Sequence, residues 1–324
     1  MMSSDPQETN PQQLGYSLAN VAEVLFGCLD ARGARTVLEV GPFQGELTAE
    51  LLAWALGAAA RVTVIEPEPP PQLLELSAAH PELEMIRQTS HEALPGLPLP
   101  DAVVIDGDHN HHTVSEELRL IGEKGPGDSL PLLMFHDVGW PHARRDTYYV
   151  PERIPEEHRQ PLAHNIGLVP GDPGVAEAGI PFVWAAAREG GEGNGVLTAI
   201  EDFMATRERL RLAVVPAFFG FGVLWHEDAP WAGAVADVVA PLDGNPVLAR
   251  LEANRVAHLA AEFANAHQLE RERGRNARRT ELLRKLADSR AFALAERLSR
   301  IRQGGKPRIS REEIERVLGD EDPG

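Results

Sequence analysis

Between residues 36 and 137, short apolar runs alternate with helical patterns, and this alternation restricts the fold more than any other feature of the chain. Thr36-Val37-Leu38-Glu39-Val40 is the first run. Arg61-Val62-Thr63-Val64-Ile65-Glu66 is the second, and a shorter one follows at Leu83-Glu84-Met85-Ile86. Ala102-Val103-Val104-Ile105 and Leu130-Pro131-Leu132-Leu133-Met134-Phe135 complete the set. Apolar, β-branched runs of this length, bounded by Gly, Asp or Pro, are the pattern of strands buried on both faces. The segments between them carry apolar residues at helical spacing, such as Val114, Leu118 and Ile121. Strands and helices in strict alternation build βαβ units around a parallel sheet. In such open sheets ligands bind outside the carboxyl ends of the strands.

The residues at those ends are therefore the candidates for chemistry. The first strand runs into Glu39-x-Gly41-x-x-x-Gly45 ahead of a helix over residues 46–56. Gly41 permits a tight turn, and Gly45 lets a ligand approach the helix N-terminus. GPFQG is not the dinucleotide fingerprint, and an acid before the first glycine suits an ammonium better than a pyrophosphate. Glu66 closes the second strand, where an acid accepts hydrogen bonds from a ribose. The fourth strand stops at Asp106-Gly107-Asp108-His109, with His111 and His112 close behind. This cluster reads either as a site or as a polar turn capping a helix that begins near Thr113, with Asp108 or Asn110 as N-cap. The fifth strand ends at His136-Asp137.

Past the fifth strand the alternation breaks. Residues 138–195 are rich in Pro, Gly, His and Arg and read as a long irregular lid. A helix near residues 198–207 follows, then strands at 210–215 and 221–225 that are joined closely enough to be antiparallel. The expectation is a Rossmann-like, doubly wound, mostly parallel seven-stranded α/β sheet with a reversed terminal strand, spanning residues 14–245. Residues 1–13 are expected to be disordered. Leu14, Leu18, Val21, Val24, Leu25 and Leu29 precede the sheet at helical spacing. Residues 246–324 are expected to form a helical, partly basic extension, either one long helix or two broken near Gly274. Ser310-Arg311-Glu312-Glu313 has the form of a capping box for a last short helix. The extension either packs on the body or pairs with another copy as a homo-oligomer.

A formal charge of −18 argues against a nucleic-acid partner for the body as a whole. One cysteine, Cys28, excludes an intramolecular disulfide framework. The N-terminus lacks the apolar core of a signal peptide, and no apolar run is long enough to span a bilayer. A cytoplasmic location is expected.

The segments LEVGPFQG, VIEP, VVIDGDHNHH and FHDVGW resemble class I S-adenosylmethionine-dependent methyltransferases. More narrowly, they resemble the metal-assisted O-methyltransferases that act on catechols and macrolide sugars. The resemblance covers residues 36–137 well and the terminal strand pair loosely. It implies S-adenosylmethionine held by Glu39, Gly41, Gly45, Glu66, Ser90 and Asp106. It implies a divalent cation on Asp106, His136 and Asp137, although the family's adjacent pair is usually two acids or Asp-Asn. An imidazole there either favours a softer ion, such as Mn²⁺ or Fe²⁺, over Mg²⁺, or means that the metal is lost and His136 serves another purpose. His109, three residues after Asp106, matches the general base of the sugar O-methyltransferases. Trp140, His142, Arg144 and Tyr148 are candidates for contact with a small-molecule or sugar acceptor. Two other classes share these residues: an iron-dependent hydroxylase-like enzyme, and a non-catalytic scaffold with a vestigial cofactor site.

Overall fold

The structure, a computed structural model, describes residues 15–302 and 309–320. The segment expected to be disordered, residues 1–13, lies outside them, as does Leu14. In chain order the described body begins with α1 (Ala22–Arg32), β1 (Thr36–Val40), α2 (Glu46–Ala58) and β2 (Arg61–Ile65). α3 (Pro71–Ala79), β3 (Leu83–Ile86), α4 (Ser90–Ala93) and β4 (Ala102–Ile105) follow. Then come α5 (His111–Lys124) and β5 (Leu132–Phe135). Helix α5 starts two residues earlier than the apolar pattern suggests. Asn110 Oδ1 accepts the Thr113 N–H at 2.9 Å and so caps it.

Beyond β5 lie β6 (Leu162–Leu168), β7 (Ile180–Ala186), α6 (Val196–Ala205), β8 (Leu210–Val215), β9 (Phe221–His226) and α7 (Ala232–Val239). The main sheet has seven strands in the order β3-β2-β1-β4-β5-β9-β8. The first five are parallel. β9, the last strand in the chain, is the reversed one, and it inserts between β5 and β8. The fold is the expected Rossmann-like doubly wound sheet.

Successive residues of each central strand point to opposite faces. Val37, Val62, Val104 and Met134 join one apolar cluster with α1, α2 and α7. Leu38, Val103, Leu133 and Phe135 join the other with α5 and α6. With both faces covered, polar side chains reach the ligand-binding edge only at the strand ends.

The insertion after β5 departs from the irregular lid expected. β6 and β7 pair antiparallel as a separate two-stranded sheet. Its strands carry His164, Asn165, Gly167 and Pro181, so the alternation that marks a strand is blurred. Buried polar groups hold the insertion. Asp146 accepts the N–H groups of His111 at 2.8 Å and Gly195 at 2.6 Å, and the Tyr148 hydroxyl at 2.8 Å. Arg145, 1% exposed, donates to the carbonyls of Ala186, Pro173 and Gly174.

Three further helices follow: α8 (Pro246–Asp288), α9 (Arg290–Arg302) and α10 (Arg311–Asp320). The chain divides into two compact units at Ala261/Glu262, inside α8. α8 passes Gly274 unbroken, because a helical glycine costs only about 1 kcal/mol and is tolerated in a long run. The break comes at Ser289, whose Oγ accepts the Phe292 N–H at 3.1 Å and opens the next helix. Ser310 Oγ likewise accepts the Glu313 N–H at 3.2 Å at the start of α10. Within the second unit Ala287, Ile314 and Leu318 are buried against Phe292, while Leu282, Leu294, Leu298 and Ile301 are exposed. Among the described residues no helix is long and apolar enough to cross a membrane.

Candidate active site

β1, β4 and β5 end side by side, with Val40 opposite Ile105 and Ile105 opposite Phe135. The next residues in each chain segment, Gly41, Asp106 and His136, therefore sit at adjacent strand tips. Gly41 has φ +80, and a Cβ there would lie 2.3 Å from Gly107 Cα. Only glycine lets the two tips approach so closely. Gly45 has a different reason for being glycine. Its φ is +92 and a Cβ would strike Leu73 Cδ2 at 2.6 Å, so it is fixed by the packing of α2 on α3. It lines neither cavity described next, and the expected close approach of a ligand is not what requires it.

Two cavities, of about 610 and 790 Å³, open on these tips and share Gly41, Phe43, Asp106 and Tyr149 as walls. Glu66, Ser90, Asp108, Glu117 and Arg153 line the larger. Glu66 Oε1 accepts the Glu68 N–H at 2.9 Å, which steadies the carboxylate at the wall. Glu39, His109, His136, Asp137 and His142 line the smaller, together with Tyr148 and the β7 residues Phe182 and Trp184.

Asp137 organises the smaller cavity. It has φ +60, a backbone conformation unusual for a residue with a side chain. Its Oδ2 lies 3.0 Å from His109 Nδ1 and 3.6 Å from His136 Nδ1, and its Oδ1 lies 3.8 Å from His142 Nε2. Burial alone would raise its pKa, but the surrounding His136, His142 and His109 rings hold the carboxyl well below the usual carboxylate range. His109 is shifted upward in return: burial opposes its charge, and Asp137 outweighs that. With Nδ1 bonded to Asp137, the remaining nitrogen, Nε2, faces the Tyr149 hydroxyl at 3.3 Å. An imidazole held this way by a carboxylate is oriented for proton transfer at its free nitrogen.

His136 is gripped from both sides. Its Nε2–H donates to the Phe218 carbonyl at 2.8 Å, and its Nδ1 lies 3.0 Å from Asp106 Oδ1. Burial works against its charge, but Asp106 and Asp137 push its pKa up to about 10. The turn that supplies the Phe218 carbonyl is itself fixed, because Glu252 on α8 accepts the N–H groups of Phe218 at 3.0 Å and Phe219 at 2.8 Å. His142 behaves oppositely. Burial drives its pKa down to about 3, so it is a neutral ring, with Nδ1 3.0 Å from Thr147 Oγ1.

Two buried carboxyls face the cavities from below. Burial pushes Glu39 up to about 8, against the Thr48 hydroxyl that donates to it at 2.7 Å. Burial likewise pushes Glu117 up to about 8, against the opposing pull of the Ser90 hydroxyl. Among the described residues Glu117 Oε2 has no hydrogen-bond partner.

The structure thus gathers Glu39, Gly41, Glu66, Ser90, Asp106, His109, His136, Asp137, His142 and Tyr148 around one crevice. Trp140 and Arg144 do not line it. Arg144 is turned to α6, where it donates to Glu201 at 2.5 and 2.6 Å and to Thr198 at 3.1 Å. Phe182, Trp184 and Glu117 line the crevice without having been assigned from sequence. Glu117 alone carried a signal, since it falls on the Val114–Leu118–Ile121 stripe where an apolar residue belongs.

Among the described residues two donor groups are close enough to share an ion, with ligand atoms within 4.8 Å of one another: Asp106, His136 and Asp137, and His109, Asp137 and His142. The donor chemistry fits a divalent ion. The Phe218 carbonyl fixes the His136 tautomer so that Nδ1 faces the two carboxylates, the outer support that ligating histidines usually have.

No protein-family model matches the chain, and no curated protein matches it. Solved structures are similar in fold at low identity. The S-adenosylhomocysteine-bound methyltransferase PaMTH1 of Podospora anserina shares 13% identity over 68% of this chain and 84% of its own, with a TM-score of 0.40. The O-methyltransferase TomG of Streptomyces achromogenes shares 16% over 65% and 82%, with a TM-score of 0.36. Human N-acetylserotonin methyltransferase shares 12% over 65% and 54%, with a TM-score of 0.36.

Proposed function

We propose that this protein is an S-adenosylmethionine-dependent O-methyltransferase acting on a hydroxyl of a small molecule or sugar, assisted by a divalent cation. The observation that carries this reading is the meeting of two cavities at Asp106, one walled by Glu66 and Ser90, the other by the His109–Asp137 pair.

In this reading Glu66 takes the ribose hydroxyls, and Glu39 ionises against the ammonium of the methionine part, which offsets the cost of its burial. The cofactor supplies an electrophilic sulfonium methyl. An acceptor hydroxyl held beside His109 would take that carbon, the carbon–sulfur electron pair returning to sulfur as the carbon–oxygen bond forms. Nε2 of His109 accepts the hydroxyl proton, and Asp137 stabilises the imidazolium that results. Asp106, His136 and Asp137 would hold the cation, whose contribution is to lower the pKa of the acceptor hydroxyl. The aromatic wall of Tyr148, Phe182 and Trp184 suits a ring-bearing acceptor.

Calorimetric titration with S-adenosylhomocysteine tests the reading, which expects saturable one-to-one binding; a flat titration removes it. A second reading rests on His109, Asp137 and His142, which form a two-histidine, one-carboxylate set of the kind that binds non-haem iron. Turnover that consumes dioxygen and needs no methyl donor would favour it.

A further inference from the structure

Glu117 lines the larger cavity and has no role in the chemistry above. It sits on the inward stripe of α5 beside Leu118 and is 1% exposed. A charged or polar side chain at such a position is ordinarily paired, because an unpaired buried oxygen costs about 1–3 kcal/mol. Here Oε2 has no partner, yet the residue lines the same cavity as Ser90 and Glu66. The cavity is therefore walled by a buried acceptor that no described protein group satisfies, on the side reached by the chain after β3 rather than on the metal side.

We infer that Glu117 is the residue that recognises the base of the cofactor, its free Oε2 taking a hydrogen bond from the 6-amino group of adenine. The inference rests on the S-adenosylmethionine reading and adds the group that makes the site select its nucleoside. The geometry follows from the crevice. Glu66, Ser90 and Glu117 line the same cavity, so a ribose held by Glu66 would leave the base to extend toward Ser90 and Glu117 on α5. Burial keeps the carboxyl protonated at neutral pH, so one oxygen remains an acceptor without a full negative charge facing the ring nitrogens. A leucine at this position would leave the amino group without a partner.

The test compares binding of S-adenosylhomocysteine with that of its analogue carrying hydrogen in place of the 6-amino group, by calorimetry on the full chain. The wild type should prefer the amino compound by about 10-fold, the usual effect of leaving one buried polar group unpaired. Glu117→Leu should bind both within about 2-fold, and Glu117→Gln, which keeps an acceptor oxygen, should retain the preference. Equal binding of the two ligands by the wild type, or an undiminished preference in Glu117→Leu, overturns the assignment while leaving the methyltransferase reading intact. Should Glu117→Leu fail to fold, Glu117→Met, which also lacks an acceptor oxygen, makes the same comparison. A wild type that binds neither compound removes both readings at once.

Discussion

The two cavities share a wall at Asp106 but are assembled by different means. The larger takes most of its polar lining from residues at or just past the parallel strand ends, such as Gly41, Glu66, Ser90 and Asp106. The smaller depends on chain that returns from elsewhere: Tyr16 before the sheet, residues 147–149 and 180–184 in the insertion, and Phe219 in the turn before β9. Their electrostatics differ as well. The larger is dominated by carboxyls, the smaller by three imidazoles arranged around Asp137. A parallel sheet supplies the strand-tip part of the first arrangement by register. The second needs buried networks, such as the hydrogen bonds on Asp146 and the Glu252 contacts that set the Phe218 carbonyl.

If the division of labour is real, damage to one cavity should leave the other's measurement untouched. The largest effect is expected for His109→Ala, which should lower the methyl-transfer rate about 10²–10⁴-fold while S-adenosylhomocysteine affinity stays within error. An unchanged rate would assign the proton transfer to another group. The rate of the wild type should also rise with pH through the titration of His109, at a pH above the ordinary imidazole value of 6.5, since only the neutral ring accepts a proton.

Chelation should act next, abolishing most turnover, with recovery on adding back Mn²⁺ or Fe²⁺ more readily than Mg²⁺. Metal analysis of the dialysed protein supplies an independent reading, and His136→Ala should lower the metal content. Full activity in EDTA would reduce Asp106 and Asp137 to structural roles.

The smallest effect falls in the other cavity and concerns stability. Glu117 titrates near 8 when folded and near 4.5 when free, so the folded state holds the extra proton. Its contribution is complete below pH 4.5 and is lost as pH rises toward 8. Glu117→Gln removes that dependence. The melting temperature of the variant, relative to the wild type, should climb by a few degrees across this interval. A constant difference would mean that Glu117 is already ionised in the native protein.

Sequence reading served the two cavities unequally, for the same reason that they differ in construction. Strand-tip residues were legible because a buried run announces where it ends, and Asp106, His136 and Asp137 all follow such runs directly. The insertion was illegible as a sheet, since buried and exposed positions do not alternate cleanly along β6 and β7 and the strands are interrupted by His164, Asn165, Gly167 and Pro181. Arg144 looked like a group for the acceptor, but its partner Glu201 lies 57 residues further along the chain. Gly274 looked like a break, although no local rule forbids a glycine inside a long helix. Gly45 was rightly marked as a position for glycine, but the obstacle is Leu73 on the next helix, which no short motif reveals.

What the amino-acid sequence determined by itself is the order of strands and helices and the residues that terminate them. Both follow from local periodicity, and periodicity is a property of neighbouring residues. Only the tertiary structure decided which of those termini share a carboxylate, which histidine is neutral and which charged, and where a buried oxygen is left without a partner. These depend on burial and on charges brought within a few ångströms from distant parts of the chain. Neither quantity exists until the sheet has closed around Asp137.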